Sequence, residues 1–299
     1  MKAISSFNSI SLLLAVVALA AGMYFDGLRL QRLVKIGGYK LSIRAVLRVI
    51  FSNYFMAMLT PGASGGAVAQ VLVLRSYGVP ISKGTPIVLI RTVFSIMFLV
   101  IMLPLVFLRD AIEIPYISRD MLLIFAVLAV IATLVGTYIL QTKYMRQFVY
   151  NLAQRFKAHN TKDWLSKLET LNQGLGLLYK QPVQSLIVFI ESGLSLLCLY
   201  CIAPALMYAF TPDIPIIDIL DRMILLNLIL YFAPTPGGTG IAEGLFVVLF
   251  SAFVPNGTVG IIAVGWRVVA EYMPFFIGMY AVLTLYGRQF VAQETSREQ

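Results

Sequence analysis

The stretch Leu-Thr-Pro-Gly-Ala-Ser-Gly-Gly, residues 59–66, decides the fold together with a second stretch, Ala-Pro-Thr-Pro-Gly-Gly-Thr-Gly, residues 233–240. Each stretch interrupts a long apolar run. Proline removes a backbone hydrogen-bond donor and glycine weakens a helix, so both stretches predict a helix break. Inside hydrocarbon, a break persists only where the freed backbone groups face protein, water or a ligand.

The composition predicts an all-α polytopic membrane protein. Of 299 residues, 59% are hydrophobic and only 12% are charged, and the mean hydropathy is +0.85. A soluble domain cannot bury so much apolar surface, and strand-like alternation is absent. The net charge of +9 suits a protein that faces anionic lipid on one side.

The apolar runs predict about seven transmembrane helices and two short broken or re-entrant helices. The predicted spans are 4–25, 46–60, 87–108, 121–140, 182–210, 223–233 and 259–286, and the short helices are 65–74 and 241–254. The short helices fall below the ~20 residues that a full crossing needs, so we expect them to be re-entrant. Tilted full crossings would leave the following loops on the same sides of the membrane. Residues 4–25 also have the form of a signal peptide, but we expect a retained span.

The two halves are predicted to form an inverted-topology repeat. Lysine and arginine are concentrated in 26–48 and 141–182, so these loops and the C-terminus are expected in the cytoplasm. This places the acid-rich loop 211–222 outside and gives the two breaks opposite orientations. We predict a first half (1–140, including a connector span), a basic amphipathic cytoplasmic connector (141–182), a second half (183–287) and a polar tail (288–299).

The breaks themselves are candidate anion sites. A helix N-terminus presents free amides and a positive dipole end, which suits a phosphate or carboxylate. The glycines permit a ligand to approach the backbone closely, but they also suit tight helix packing. The sequence does not decide between these two roles. The candidate substrate-binding residues of the breaks are Pro61, Gly62, Ser64, Gly65 and Gly66 in the first, and Pro236, Gly237, Gly238, Thr239 and Gly240 in the second.

Five charged residues in apolar surroundings complete the candidate site. Arg91 lies 30 residues after Pro61 and Arg267 lies 31 residues after Pro236, and arginine binds phosphate through paired hydrogen bonds. Arg267 also has the i,i+4 spacing for an ion pair with Glu271. Glu243 and Glu191 are expected to pair with an arginine, take up a proton or bind a cationic headgroup.

The sequence lacks the residue patterns that metal binding and nucleotide binding usually require. The single histidine, His159, lies in the basic connector, and Cys198 and Cys201 have no second ligand pair, so we expect packing roles for the cysteines and no metal. The chain has no P-loop pattern. We therefore expect no cofactor, no nucleic-acid partner and no enzymatic activity of the chain itself.

The first break, Pro61-Gly62-Ala63-Ser64-Gly65-Gly66 with Arg91 downstream, resembles a signature of the lysylphosphatidylglycerol synthase transmembrane region, or flippase-like domain family. Residues 234–240, followed by Glu243 and Arg267, resemble its second signature more closely. The similarity covers about residues 25–287. Family members often carry an acidic residue a few positions after the first arginine, where this chain has Phe94 and Ser95.

The resemblance implies a bacterial or archaeal inner-membrane protein that moves lipids between leaflets. In the multiple peptide resistance factors, this region flips aminoacylated phosphatidylglycerol that a separate transferase domain makes. The expected function is a lipid translocase for an anionic or aminoacylated phospholipid, or for a polyprenyl-phosphate-linked lipid. The alternative is a membrane subunit or scaffold of a lipid-modifying enzyme, such as a lysylphosphatidylglycerol synthase or a glycosyltransferase. The expected partners are the lipid and either such an enzyme or a second copy of the chain.

Overall fold

A computed structural model describes residues 8–109, 119–139 and 181–295, and the single residues 169 and 176. All regular secondary structure in these ranges is helical, which confirms the predicted all-α membrane fold. Nearly all of the predicted amphipathic connector 141–182, with His159, lies outside the described residues, as do the last four residues of the polar tail.

The described helices are numbered here in chain order. Those before the connector are α1 (Ser9–Ile36), α2 (Ile43–Leu59), α3 (Ser64–Ser76), α4 (Ile81–Leu108) and α5 (Arg119–Ile139). Those after it are α6 (Pro182–Tyr200), α7 (Ile202–Met207), α8 (Ile216–Leu230), α9 (Ile241–Phe250), α10 (Val259–Arg267) and α11 (Met273–Thr295). A 3₁₀ turn, Ser251–Phe253, follows α9.

Four stretches of the described residues are long and apolar enough to cross a membrane. They are Ser9–Ile36, Ile81–Leu108, Pro182–Met207 and Val259–Leu285. The other three predicted spans coincide with α2, α5 and α8, and the two predicted short helices coincide with α3 and α9. The total of about seven crossings and the inverted repeat stay predictions.

At both breaks the helices end and begin where the proline and glycine residues predict. Thr60 is extended, as the residue before a proline must be, and α2 ends beside it. Gly62 and Ala63 then adopt left-handed φ angles of 59° and 53° before α3 begins. In the second break Gly237, Gly238 and Gly240 have positive φ, a conformation that glycine adopts at low cost.

Two helices continue well past their predicted ends, and two others, α4 and α8, begin six and seven residues before their predicted starts. α1 continues to Ile36, so the basic segment that was expected as a loop from Arg29 onward begins inside a helix. Arg29 is tolerated there because it is buried against an acidic partner, Asp26, one turn earlier. α11 likewise runs to Thr295, past the predicted end of the last span at 286.

A π-helical turn precedes Pro274 within the last predicted span. Residues Val268–Tyr272 form this turn between α10 and α11, so the chain stays helical through the proline. Glu271 lies within this π turn and Arg267 lies directly before it.

The two halves pack closely through helix backbones. α1 packs along α6, and α11 packs along α2. Gly278 of α11 lies against the carbonyl group of Phe51 with no room for a β-carbon, and Gly193 of α6 lies against the Phe98 ring in the same way. Small residues at such crossings are what close helix packing in membranes requires.

Candidate functional site

A cavity of about 490 Å³ lies between the two breaks, with charged and polar side chains set in a largely apolar wall. It is lined from both halves of the chain, by α1, α2, α3, α4, α6, α8, α10, the π turn and both break segments. The predicted site residues on its wall are Gly62, Ser64, Arg91, Gly237, Gly238 and Glu271. The structure thus joins the two breaks, which are far apart in sequence, into one site.

The breaks meet in space. Pro61 and Pro236 form an isolated antiparallel bridge between their backbones. A β-carbon on Gly237 would lie 3.4 Å from the Cα atom of Met58, so the second break also approaches the end of α2 closely.

The helix N-termini are capped by the chain itself, which corrects the expectation of free amides. The Gly65 amide donates to Thr60 Oγ1 at 2.9 Å. The Gly240 amide donates to Glu243 Oε2 at 2.7 Å. A carboxylate of the protein therefore occupies the second helix N-terminus, where a substrate anion was expected.

The glycines divide between the two roles that the sequence left open. Gly65 and Gly66 serve packing, because a β-carbon on either would collide with Thr60 or Asn53 of α2. Gly62 and Gly238 line the cavity. The cavity lining does not include Pro61, Pro236, Thr239 or Gly240, nor the predicted site residues Glu243 and Arg267.

A first charge cluster forms one side of the cavity around Asp26. Arg29 Nε donates to Asp26 Oδ1 at 2.5 Å, and Arg91 Nε donates to the same oxygen at 3.1 Å. Arg91 Nη2 also pairs with Asp26 Oδ2. All three side chains are buried and line the cavity. One carboxylate between two guanidinium groups leaves this cluster with a net charge of +1.

Neutral side chains hold the first charge cluster in place. Arg91 Nη1 donates to Gln70 Oε1 at 2.6 Å, and Gln70 Nε2 in turn donates to Asn53 Oδ1 at 2.7 Å. Arg29 Nη1 donates to Ser95 Oγ at 2.8 Å. The acidic partner missing near Phe94 and Ser95 is therefore supplied from α1, by Asp26.

A second charge cluster surrounds Arg267 beside the opposite break. Arg267 Nε donates to Glu243 Oε1 at 2.8 Å, and Arg267 Nη2 donates to the Gly237 carbonyl at 2.9 Å. Arg267 Nη1 forms the predicted i,i+4 ion pair with Glu271. One guanidinium between two carboxylates gives this cluster a net charge of −1. The predicted pairing of Glu243 with an arginine is confirmed.

Two hydroxyl groups on the cavity wall are left without partners. Tyr200 Oη and Thr235 Oγ1 are buried and have no hydrogen-bond partner among the described residues. An unsatisfied buried hydroxyl costs free energy unless water or a ligand bonds to it. The cavity therefore offers charge of both signs and neutral hydrogen-bonding groups to one polar guest.

Glu191 lies outside this cavity. It accepts from Arg32 Nη2 at 2.7 Å and from Arg32 Nε at 3.1 Å, and the same guanidinium donates to Gln184. This bidentate pair joins α1 to α6. A substrate role and this structural role of Glu191 can be told apart by mutation, because the first predicts weaker lipid binding and the second predicts lower stability.

We expect the Glu191→Gln substitution to leave lipid affinity unchanged and to lower stability by about 1–3 kcal/mol, because it weakens a charge-assisted hydrogen bond. Thermal unfolding and lipid binding of the purified variant measure the two effects separately. Weakened lipid binding with unchanged stability would assign Glu191 to the substrate instead.

Sequence reasoning missed Asp26, Arg29 and Gln70. Asp26 and Arg29 have the i,i+3 spacing of a helical ion pair, and this was the available signal. It was obscured by the neighbouring basic residues, which made the segment look like a loop. Within the described residues, no group of three or more His, Cys, Asp or Glu side chains is placed to hold a metal ion.

The fold and the cavity define a multi-pass, all-helical membrane protein with a polar site between two helix breaks. The chain belongs to the lysylphosphatidylglycerol synthase TM region family, whose model matches residues 1–278. It is also similar to a UPF0104 membrane protein of Archaeoglobus fulgidus, at 22% identity over 268 residues, which covers 85% of this chain and 80% of that relative.

Proposed function

We propose that this protein is a translocase that moves a lipid with a phosphate-containing headgroup between the leaflets of a bacterial or archaeal cytoplasmic membrane. The observation that carries the proposal is the cavity that joins both breaks, with the net positive cluster on its wall and Glu271 of the second charge cluster also facing it. The family name, which refers to a lipid-synthase membrane region, supports a lipid as the guest.

Each cluster has a distinct part in binding the headgroup. The guanidinium groups of Arg29 and Arg91 receive the phosphate, since arginine offers paired donors to phosphate oxygens. Glu271, with Glu243 behind it, faces a headgroup amine or a coupling proton. The acyl chains stay in the bilayer while the headgroup crosses through the polar cavity.

The chemistry of the cavity favours transport over catalysis. Its ionised groups are already paired with one another, and its remaining polar groups are amides and hydroxyls. Such groups bind and orient a headgroup. In the multiple peptide resistance factors, which this chain resembles, a separate transferase domain carries out the synthase reaction. We therefore propose that this chain acts on the lipid after another enzyme has modified it.

The test is a leaflet-exposure assay in proteoliposomes. Fluorescent phosphatidylglycerol and its lysyl form are offered, and the fraction that a membrane-impermeant quencher reaches is followed over time. We expect the wild type to exchange lipid between the leaflets. In Arg91→Ala we expect the exchange rate to fall roughly tenfold or more, because a loss of ~1.4 kcal/mol of headgroup binding free energy already corresponds to a factor of ten. Glu243→Gln is expected to slow the lysyl lipid more than phosphatidylglycerol.

Asp221→Asn is the matched control, because Asp221 is buried and pairs with Arg109 away from the cavity. Exchange that is equal in the wild type, Arg91→Ala and Asp221→Asn would remove the cavity from the transport path. Exchange no faster than in protein-free vesicles, for either lipid, would count against translocation of phosphatidylglycerol lipids.

A further inference from the structure

Asp26 has an unusual place for a carboxylate in an anion-binding cavity. It lies between the two arginines that face the guest and accepts hydrogen bonds from both. A negative charge there repels an incoming phosphate, so a site built only for strong anion binding would omit it. Its presence therefore needs an explanation beyond affinity.

We propose that Asp26 sets the charge of this site to +1 and thereby makes the cavity select a lipid phosphodiester over a lipid phosphomonoester. A phosphodiester is a monoanion and neutralises the first charge cluster in full. A phosphomonoester carries about −1.5 to −2 charges near neutral pH, so it leaves up to one negative charge uncompensated. This inference rests on the proposed function and names the headgroup class of its substrate.

The geometry leaves donors for one phosphate group. Arg29 uses Nε for Asp26 and Nη1 for Ser95, and its Nη2 has no hydrogen-bond partner among the described residues. Arg29 is 6% exposed and lines the cavity. The hydroxyl of Tyr200, on the same cavity wall, is also without a partner. These groups can bind phosphate oxygens without breaking the contacts of Asp26.

Burial makes the charge balance decisive. Asp26, Arg29 and Arg91 are 2%, 6% and 6% exposed, so bulk water screens them little. An uncompensated charge is costly in such surroundings. Among the residues that the structure describes, the one further acidic group on the cavity wall is Glu271, which pairs with Arg267 and would add to the repulsion of a second phosphate charge.

The number of charges on the phosphate divides the lipid classes that the resemblance leaves open into two groups. A phospholipid with an esterified headgroup and a polyprenyl phosphate that carries a sugar are both phosphodiesters, and both fit a +1 site. Phosphatidic acid and a free polyprenyl phosphate are phosphomonoesters and do not. The site therefore favours lipids whose headgroup another enzyme has already attached.

Competition binding to the purified full chain in detergent at pH 8 tests the proposal. Fluorescent phosphatidylglycerol is displaced by unlabelled phosphatidylglycerol or by phosphatidic acid. For the wild type, we expect phosphatidylglycerol to bind roughly tenfold more tightly than phosphatidic acid. In Asp26→Asn the site has a charge of +2, and we expect the order to reverse, by a similar factor of about tenfold.

A charge-restoring variant provides the sharpest comparison. Asp26→Asn combined with Arg29→Gln returns the site to +1 through Arg91 alone, so it should recover the preference for phosphatidylglycerol. Arg29→Gln alone gives a neutral site, which should bind both lipids weakly. Asp221→Asn should match the wild type, since Asp221 lies outside the cavity.

The wild-type preference persisting in Asp26→Asn would overturn the inference, as would the lack of displacement by either lipid in the wild type. If Asp26→Asn does not fold, Arg29→Gln decides, because unchanged affinity for phosphatidylglycerol in that variant would contradict the charge argument. Leaflet exchange measured in parallel separates the two proposals. Binding with the predicted order but no exchange overturns transport alone, and exchange with unchanged selectivity overturns this inference alone.

Discussion

Replacing Arg267 with alanine is expected to abolish lipid exchange and to lower the free energy of unfolding by about 3–5 kcal/mol. Arg267 is 1% exposed and pairs with Glu243, Glu271 and the Gly237 carbonyl. Removing it leaves two carboxylates facing each other in a largely apolar region. It also removes the contact that ties α10 to the second break.

The loss should depend on the charges left behind. In the double variant Arg267→Ala with Glu243→Gln, one of the two unpaired carboxylates is neutral, so we expect part of the stability to return. Thermal unfolding of both variants in detergent measures this coupling, and the proteoliposome assay measures exchange.

Arg75→Ala is a suitable control, because Arg75 is an exposed arginine at the end of α3. Its stability should change by less than about 0.5 kcal/mol. A folded Arg267→Ala variant with wild-type stability and exchange would show that the second charge cluster has no part in either. Lost exchange with full stability would assign Arg267 to the substrate alone.

The breaks were predictable because their causes are local. Proline and glycine act on their own backbone and on the residue before them, so the ends of α2 and α3 fell within a few residues of the prediction. The same local chemistry located α9 after Gly240. The i,i+4 pair of Arg267 and Glu271 was predictable for the same reason, since a helix brings residues at that spacing together.

The partners of Arg91 and Glu191 were not predictable in this way. Asp26 lies 65 residues before Arg91, and Arg32 lies 159 residues before Glu191. Each pairing depends on how α1 packs against α4 and α6, and a single sequence carries no signal for that choice. The fold thus completes an ion pair across helices that the local pattern around Phe94 and Ser95 left without an acid.

The capped helix N-termini change the expected mode of anion binding. Free amides at a break would bind any anion with little regard to its charge. Because Thr60 and Glu243 accept hydrogen bonds from these amides, the proposed anion binding would depend on the guanidinium groups of the cavity, whose net charge is set by their acidic neighbours. If the cavity binds a lipid phosphate as proposed, selection would then depend on charge as well as on backbone geometry.

Replacing Gly278 with alanine is the second substitution with a large expected effect. Its β-carbon would collide with the carbonyl group of Phe51, a backbone group that cannot rotate away. We expect a loss of about 3 kcal/mol, at the upper end of the range for overpacking. The apparent melting temperature of the purified variant in detergent measures this loss.

Gly244→Ala is the matched control for this substitution. Gly244 also lies within a helix, α9, but no atom approaches the position of its missing β-carbon within 4 Å. Alanine there should be neutral or stabilising by up to about 1 kcal/mol, because it favours the helix. Equal melting temperatures of Gly278→Ala and Gly244→Ala would contradict the close packing of α11 on α2.

The same substitution should also reduce lipid exchange, and the reason follows from the chain path. α11 packs along α2, and α2 ends at Leu59, directly before the first break. A displacement of α11 therefore shifts the end of α2, its bridge between Pro61 and Pro236, and the cavity wall that both breaks form. Full exchange in a destabilised Gly278→Ala variant would mean that the cavity keeps its shape when this helix pair separates, and the proposed transport would then not depend on the packing of α11 on α2.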